Sequence, residues 1–286
     1  MPILERVSQY ACLMRLNKPI PMLLLLWPTL WGLWLASNGQ PDLQNLARFI
    51  LGVILMRSAG CILNDFADRH IDGAVQRTRE RVLATGKVSI REAFLLAAIL
   101  SLTAFLLVLQ CNLLTILLAF VAAGLACIYP FLKRYTHLPQ IGLGMAFSFG
   151  IPMAFAAELG ALNGPAWFLF FTAMLWPVIY DTMYAMADRE DDVKIGVKST
   201  AILFGGKDTF MIGLLQIIFV IFLIRLGYIF QLHSIYFISL TLVSSLFFYQ
   251  QWLIRNRDAK QCIHAFLNNH WVGLVIFAGI ALSYLQ

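Results

Sequence analysis

Of 286 residues, 60% are apolar in the broad count and only 13% are charged, and the mean hydropathy is +0.77. A soluble domain carries about 25% charged residues, so this chain lacks the polar surface to cover a globule of its size. A soluble enzyme, a disordered tail and a disulfide scaffold are excluded, and the net charge of +6 reads as the orienting charge of a membrane protein rather than as a nucleic-acid surface.

Met1 to Arg15 has no apolar core followed by a cleavage site, so it does not read as a signal peptide. Nine apolar runs follow, at 20–37, 46–64, 92–110, 112–130, 140–158, 166–184, 209–229, 233–253 and 268–285. Their length, near 20 residues, fits membrane helices and not the shorter, alternating strands of a barrel. The polar pinch Gln110-Cys111-Asn112 separates the third run from the fourth as a hairpin turn. The expected fold is therefore all-α: one polytopic membrane domain over residues 1–286, with nine transmembrane helices.

The basic residues test that topology. With the N-terminus on one side, 18 of the 21 Lys and Arg fall in connections on that same side. The exceptions are Arg48, Arg57 and Arg225, at or inside helices, with Arg225 read as interfacial. Such asymmetry marks the cytoplasmic side. The five cysteines contain no CxxC pair and read as small buried apolar residues.

Nine of the fifteen carboxylates gather in the 2–3 and 6–7 connections, after the second and sixth runs, a spacing that hints at two related halves. The first cluster is Asn64-Asp65-Phe66-Ala67-Asp68-Arg69-His70-Ile71-Asp72. Asn64, Asp68 and Asp72 stand at i, i+4 and i+8, on one face of a helix. Like charges so placed repel, and a cation reverses the sign. Hard oxygen ligands at a helix end suit Mg²⁺ better than zinc. The second cluster is Asp188-Arg189-Glu190-Asp191-Asp192, preceded by Tyr180-Asp181-Thr182-Met183-Tyr184 and followed by Lys194 and Lys198. Two carboxylate clusters interleaved with cations suit a diphosphate–magnesium complex, the carboxylates holding metal and the cations holding phosphate oxygens. No P-loop, HExxH, GxSxG or dinucleotide fingerprint is present.

Asn64-Asp65-x-x-Asp68-x-x-x-Asp72 with Asp188-x-x-x-Asp192 resembles the paired aspartate motifs of the UbiA-type intramembrane prenyltransferases. Within that family the chain is most similar to the bacterial branch that prenylates 4-hydroxybenzoate in ubiquinone synthesis. The stretches that carry the likeness are MRLNKPI (14–20), LLLLWPTLWGLW (23–34), MRSAGCILNDFADRHIDG (56–73), YPFLKRYTHLPQ (129–140) and YDTMYAMADREDDVKIGVKSTAILFG (180–205). Val82 and Pro21 depart from the branch pattern, at positions outside the aspartate motifs.

The resemblance implies helices ringed around a central cavity and Mg²⁺-dependent transfer from a polyprenyl diphosphate to 4-hydroxybenzoate. It implies a bacterial inner membrane with the N-terminus and active-site loops cytoplasmic, the bilayer as surroundings, no nucleic acid and no obligatory protein partner. It places metal and diphosphate at Asn64, Asp68, Asp72, Asp188 and Asp192. Tyr129 and Lys133 match a Tyr-x-x-x-Lys element, and Arg15 and Arg57 match basic positions facing the cavity. Arg134 and Lys198 join the substrate-binding set, and either the departing diphosphate or a carboxylate, with Asp181 and Asp191 as candidates, takes the ring proton. Arg57, seven residues before Asn64, also sits about two turns deeper on a similar face, where a charged side chain implies function. Another aromatic acceptor (homogentisate, a naphthoate, a chlorophyllide or haem) and an ion-coupled transporter are the competing readings.

Overall fold

The structure, a computed structural model, describes residues 3–69 and 78–286. Asp72 and the rest of 70–77 therefore lie outside the described residues. Within them the chain is helical, with no strand. Its helices are α1 (Ile3–Leu13), α2 (Ile20–Ala36), α3 (Leu43–Asp68), α4 (Ile90–Val108), α5 (Leu113–Tyr135), α6 (Pro139–Ser148), α7 (Gly150–Leu159), α8 (Gly164–Ile195), α9 (Thr200–Phe204), α10 (Asp208–Ile229), α11 (Ser234–Ile254) and α12 (Ala259–Ser283). Eight spans, counting α6–α7 as one and α9–α10 as one, are long and apolar enough to cross a membrane, and α2 is a shorter apolar helix. These nine correspond to the nine runs of the sequence.

Helix starts follow local chemistry. Asp42, Asn112, Asn163 and Asp258 cap α3, α5, α8 and α12 by accepting backbone N–H bonds, and Ser89 with Glu92 closes a capping box on α4. The run at 140–158 is not one continuous helix. Pro152 has no N–H to return to Ser148, so the helix stops at Ser148 and restarts at Gly150. Gly150 is required there by close packing: a Cβ would stand 2.5 Å from Thr29 Oγ1 of α2.

Two helices outrun their apolar segments. Helix α8 has 32 residues and α3 has 26. At a rise of about 1.5 Å per residue they are about 48 Å and about 39 Å long, against a hydrocarbon core of about 30 Å. Hydropathy ends where lipid ends, but the helix continues beyond it. Both acidic clusters, expected in connections, therefore ride on helix ends: Asp65 and Asp68 on α3, Asp188, Asp191 and Asp192 on α8. Likewise α12 begins at Ala259, nine residues before the apolar run expected from 268, because Asp258 caps it at Gln261 N.

The largest core cluster unites α2, α7, α8, α10, α11 and α12 around buried Trp31, Trp176, Tyr180 and Tyr236. Where the lipid interior offers no water, indole and amide groups bond across helices. Trp31 Nε1 donates to Gly273 O at 3.2 Å, and Trp176 Nε1 to Asn269 Oδ1 at 2.9 Å. Helix α1 precedes the nine expected runs. It is held by Leu13, packed with Ile62, Val88 and Ala93, and by an Arg6–Glu92 ion pair.

Candidate functional site

A cavity of about 640 Å³ opens among α2, α3, α5, α6, α8 and α12, closed in part by the connections before α2, around 78–81 and at 197–199. α3 and α8 both line the cavity with their C-terminal halves. α3 presents Arg57, Cys61, Asn64, Asp65 and Asp68; α8 presents Tyr180, Asp181, Tyr184, Asp188 and Asp192. These spacings are near-multiples of a helical turn. Arg57 and Asp181 each lie 11 residues before the last carboxylate of their stripe, about 16 Å deeper.

A helix C-terminus carries partial negative charge, and Asp68 is the last residue of α3. The structure answers with cations. Lys133 Nζ donates to Asp68 Oδ2 at 2.6 Å, and Arg15 Nη2 to Asp65 Oδ1 at 2.6 Å. Arg81 Nη1 stands 3.2 Å from Asp65 Oδ1 and 4.0 Å from Asp68 Oδ2. Arg134 donates to the carbonyl of Ala67, one of the open carbonyls of that last turn. Both Asp65 and Asp68 are buried. Arg15 reaches its partner from a left-handed backbone, φ +58°, a conformation that costs an ordinary residue about 1–2 kcal/mol.

The second cluster differs. Asp188 and Asp192 are half-buried at the cavity wall. On the side of α8 away from them, Arg189 pairs with fully buried Asp208, which Arg257 also holds at 2.9 Å. The two clusters are joined through α5: Lys133, bonded to Asp68 by its side chain, accepts Lys198 N–H at its carbonyl at 2.9 Å.

The cavity thus collects Asn64, Asp68, Asp188, Asp192, Asp181, Arg15, Arg57, Tyr129, Lys133 and Lys198 from the expected set. It does not collect Arg134, which is spent on Ala67 O and lies over the Phe131 ring. Nor does it collect Asp191, which pairs at 3.5 Å with exposed Lys194. Sequence reasoning missed Asp65, Arg81 and Gln140 as site residues. Asp65 stands at i, i+3 from Asp68, a spacing that also shares a helix face. Gln140 closes the YPFLKRYTHLPQ stretch but carries no charge to draw notice. Cys61 is not simply buried filling: it lines the cavity and accepts from Arg57 Nη1 at 3.0 Å.

Among the described residues no three His, Cys, Asp or Glu converge on one point. Mg²⁺ does not need three, since waters and substrate phosphates complete its shell. The donor set fits such an ion: Asp68 Oδ1 is buried with no hydrogen bond while Oδ2 takes Lys133. Deeper in, the wall turns aromatic with Phe147, Tyr180, Tyr184 and Phe266. Arg57 lies there, 5.6 Å from the Phe147 ring centroid, with its Nε buried and unbonded among the described residues. The arrangement suits a polyanion at the charged end of the cavity and a carbocation against the aromatic wall.

The family model of the UbiA prenyltransferase family matches residues 25–274. A 4-hydroxybenzoate octaprenyltransferase of Alkalilimnicola ehrlichii is 55% identical over 279 residues, covering 98% of this chain and 95% of the relative. The corresponding protein of Coxiella burnetii is 54% identical, covering 98% of each. Among solved structures, an apo UbiA homolog from Aeropyrum pernix superposes with a TM-score of 0.81 at 26% identity, over 91% of this chain and 97% of that one. A UbiA homolog from Archaeoglobus fulgidus bound to GPP and Mg²⁺ shares the fold, with a TM-score of 0.74 at 17% identity over 97% of this chain and all of the other.

Proposed function

The chain belongs to the UbiA prenyltransferase family, and from that premise we propose that it transfers a polyprenyl group from polyprenyl diphosphate to 4-hydroxybenzoate, at the ring carbon ortho to the hydroxyl, in ubiquinone biosynthesis. The observation that carries this reading is the cavity that brings Asp68 of α3 and Asp188 and Asp192 of α8 together with Arg15 and Lys133, above an aromatic chamber. The enzyme is a multi-pass membrane protein, placed by this reading in the bacterial inner membrane with the cavity mouth cytoplasmic.

Asn64, Asp68, Asp188 and Asp192 would hold Mg²⁺, and the motif resemblance adds Asp72, which lies outside the described residues. The metal supplies charge neutralisation that makes diphosphate a good leaving group. Lys133, Arg15 and Lys198 bind phosphate oxygens not taken by metal, and Lys133 and Arg15 exchange a carboxylate partner for a phosphate one. The C1–O bond of the prenyl diphosphate breaks, and the allylic cation is shielded from water by the apolar wall. The ring carbon of the acceptor forms the new C–C bond and then loses its proton. Asp181, which lines the cavity, accepts that proton; Asp191 faces away. Arg57 binds the acceptor's carboxylate from below, and Tyr129 flanks it. A transporter would set its carboxylates near the midplane on broken helices, whereas these stand at the ends of two continuous ones.

Membranes containing the protein, given radiolabelled prenyl diphosphate, 4-hydroxybenzoate and Mg²⁺, are expected to form a prenylated 4-hydroxybenzoate. Product with homogentisate or a naphthoate and none with 4-hydroxybenzoate would overturn the acceptor assignment. No product with any acceptor, together with solute uptake into vesicles, would overturn the reaction.

A further inference from the structure

We propose that Gln140 is a positioning residue for Asp181, and that it couples this carboxylate to the strand of chain that leaves the second acidic motif. The inference rests on the reading above, in which Asp181 takes the proton of the acceptor ring.

Gln140 stands at the start of α6, 3% exposed, and lines the cavity. Its amide Nε2 donates to Asp181 Oδ2 at 3.1 Å, and its Oε1 accepts the backbone N–H of Thr200 at 3.1 Å. A backbone N–H is a donor in every state, so the carbonyl end of the amide must face Thr200. The NH₂ end is then fixed on Asp181. Turning the amide over would set oxygen against carboxylate and N–H against N–H. The side chain can satisfy both neighbours in one orientation alone.

Thr200 is itself pinned. Thr182 donates its hydroxyl hydrogen to Val178 O, so in the 2.6 Å contact between Thr182 Oγ1 and Thr200 Oγ1 the donor is Thr200. Thr182 is the chain neighbour of Asp181. The segment before Thr200 is tied to α5 by Lys198 N–H on Lys133 O and by Lys198 Nζ on Tyr135 O at 3.2 Å. That segment begins at Gly196, in the left-handed conformation that ends α8 just after Asp192. A path of bonded groups therefore runs from Lys133, the partner of Asp68, through 198–200 to Gln140 and Asp181. Its consequence is that the Asp181 carboxylate keeps one rotamer while the diphosphate-binding mouth rearranges around Lys133.

Positioning of this kind acts on turnover and not on binding, and small misplacement at a reacting centre costs up to about 100-fold. Two variants separate it from a packing role. Gln140→Met keeps length and volume but neither donates nor accepts. Gln140→Glu keeps an acceptor for Thr200 N–H and removes the donor to Asp181. In the radiolabel assay at pH 8.5, with membrane abundance measured alongside, both are expected to lower kcat by about 10–100-fold. KM for prenyl diphosphate and for 4-hydroxybenzoate should stay within about threefold. Wild-type kcat in Gln140→Glu overturns the proposal, as does a rise in KM at unchanged kcat, which would make Gln140 a binding group. If Gln140→Met fails to accumulate, Gln140→Glu decides alone. If both fail to accumulate, Gln140 is a folding determinant and the proposal is overturned. Product formation by the parent chain in the same membranes keeps the two readings apart: none there overturns the function, and with it this inference.

Discussion

The two acidic motifs occupy matching places, at the ends of α3 and α8, yet they are built differently. Asp65 and Asp68 are buried and locked to Arg15, Arg81 and Lys133. Asp188 and Asp192 stand half-buried at the wall, on a helix braced from its far side by Arg189 on Asp208. The first motif thus carries its own cations, which a diphosphate must share or take over. The second is held in place by a charge cluster that lies off the cavity lining. Symmetry of position does not mean symmetry of energetics. On α3, cations that line the cavity also hold the helix end; on α8, a further brace of Arg189 and Arg257 on Asp208 lies off the lining.

Removing one carboxylate from each motif tests this most severely. Asp68→Ala and Asp188→Ala are each expected to lower turnover at least about 1,000-fold, as is EDTA on the parent chain with recovery on added Mg²⁺. A second measurement tests the first motif's cations. Asp68→Ala releases Lys133, so its affinity for prenyl diphosphate in EDTA should rise above that of the parent chain. Equal affinities would break the comparison, and full activity in either variant would refute the metal assignment.

The topology and the motif were legible because lipid and charge impose strong patterns: nine runs, one basic side, carboxylates at i and i+4. The helical extensions of α3 and α8 were not, because hydropathy reports lipid contact and stops at the interface. The interruption at Phe149 was hidden in an apolar run, where Pro152 looks like any other residue of the span. Arg134 and Asp191 were placed in the site because they have the right chemistry in the right stretch. Only the angular position of each side chain sends one to Ala67 O and the other to Lys194. Gln140 was missed for the opposite reason: a neutral amide gains its meaning from what it touches.

Lys133 and Arg57 test the cations at two depths. Lys133→Met leaves Asp68 without its 2.6 Å partner and removes a phosphate ligand, so kcat/KM for the diphosphate should fall about 100-fold. Arg57→Ala should raise the KM for 4-hydroxybenzoate about 10–100-fold, with little change in that for the diphosphate and in membrane abundance. Unaltered acceptor kinetics would return Arg57 to a structural role. Behind α8, Asp208→Asn removes the counter-charge of Arg189 and Arg257. These arginines keep some solvent contact, so the cost should be about 1–3 kcal/mol, below that of a fully buried pair. It is read as a lower thermal midpoint in detergent. Activity at saturating Mg²⁺ should fall only several-fold, and a loss as deep as that of Asp188→Ala would mean the brace is part of the site.

The smallest effect is the sharpest check on the geometry of α8. At about 100° per residue, Asp188 and Asp192 lie within about 20° of Asp181 around the helix, while Asp191 is turned about 80° away. That angle separates a cavity-lining carboxylate from one that meets Lys194 on the outer surface. The ion pair is 3.5 Å long and its lysine is 70% exposed, which makes it an i,i+3 surface pair of at most about 0.5 kcal/mol. Asp191→Asn should therefore leave kcat, both KM values and the Mg²⁺ requirement within about twofold of the parent, although Asp191 is adjacent to Asp192 and of identical chemistry. A tenfold loss would mean that α8 is rotated or unwound at its end when substrate is bound. The half-buried placement of Asp188 and Asp192 would then describe only one of its states.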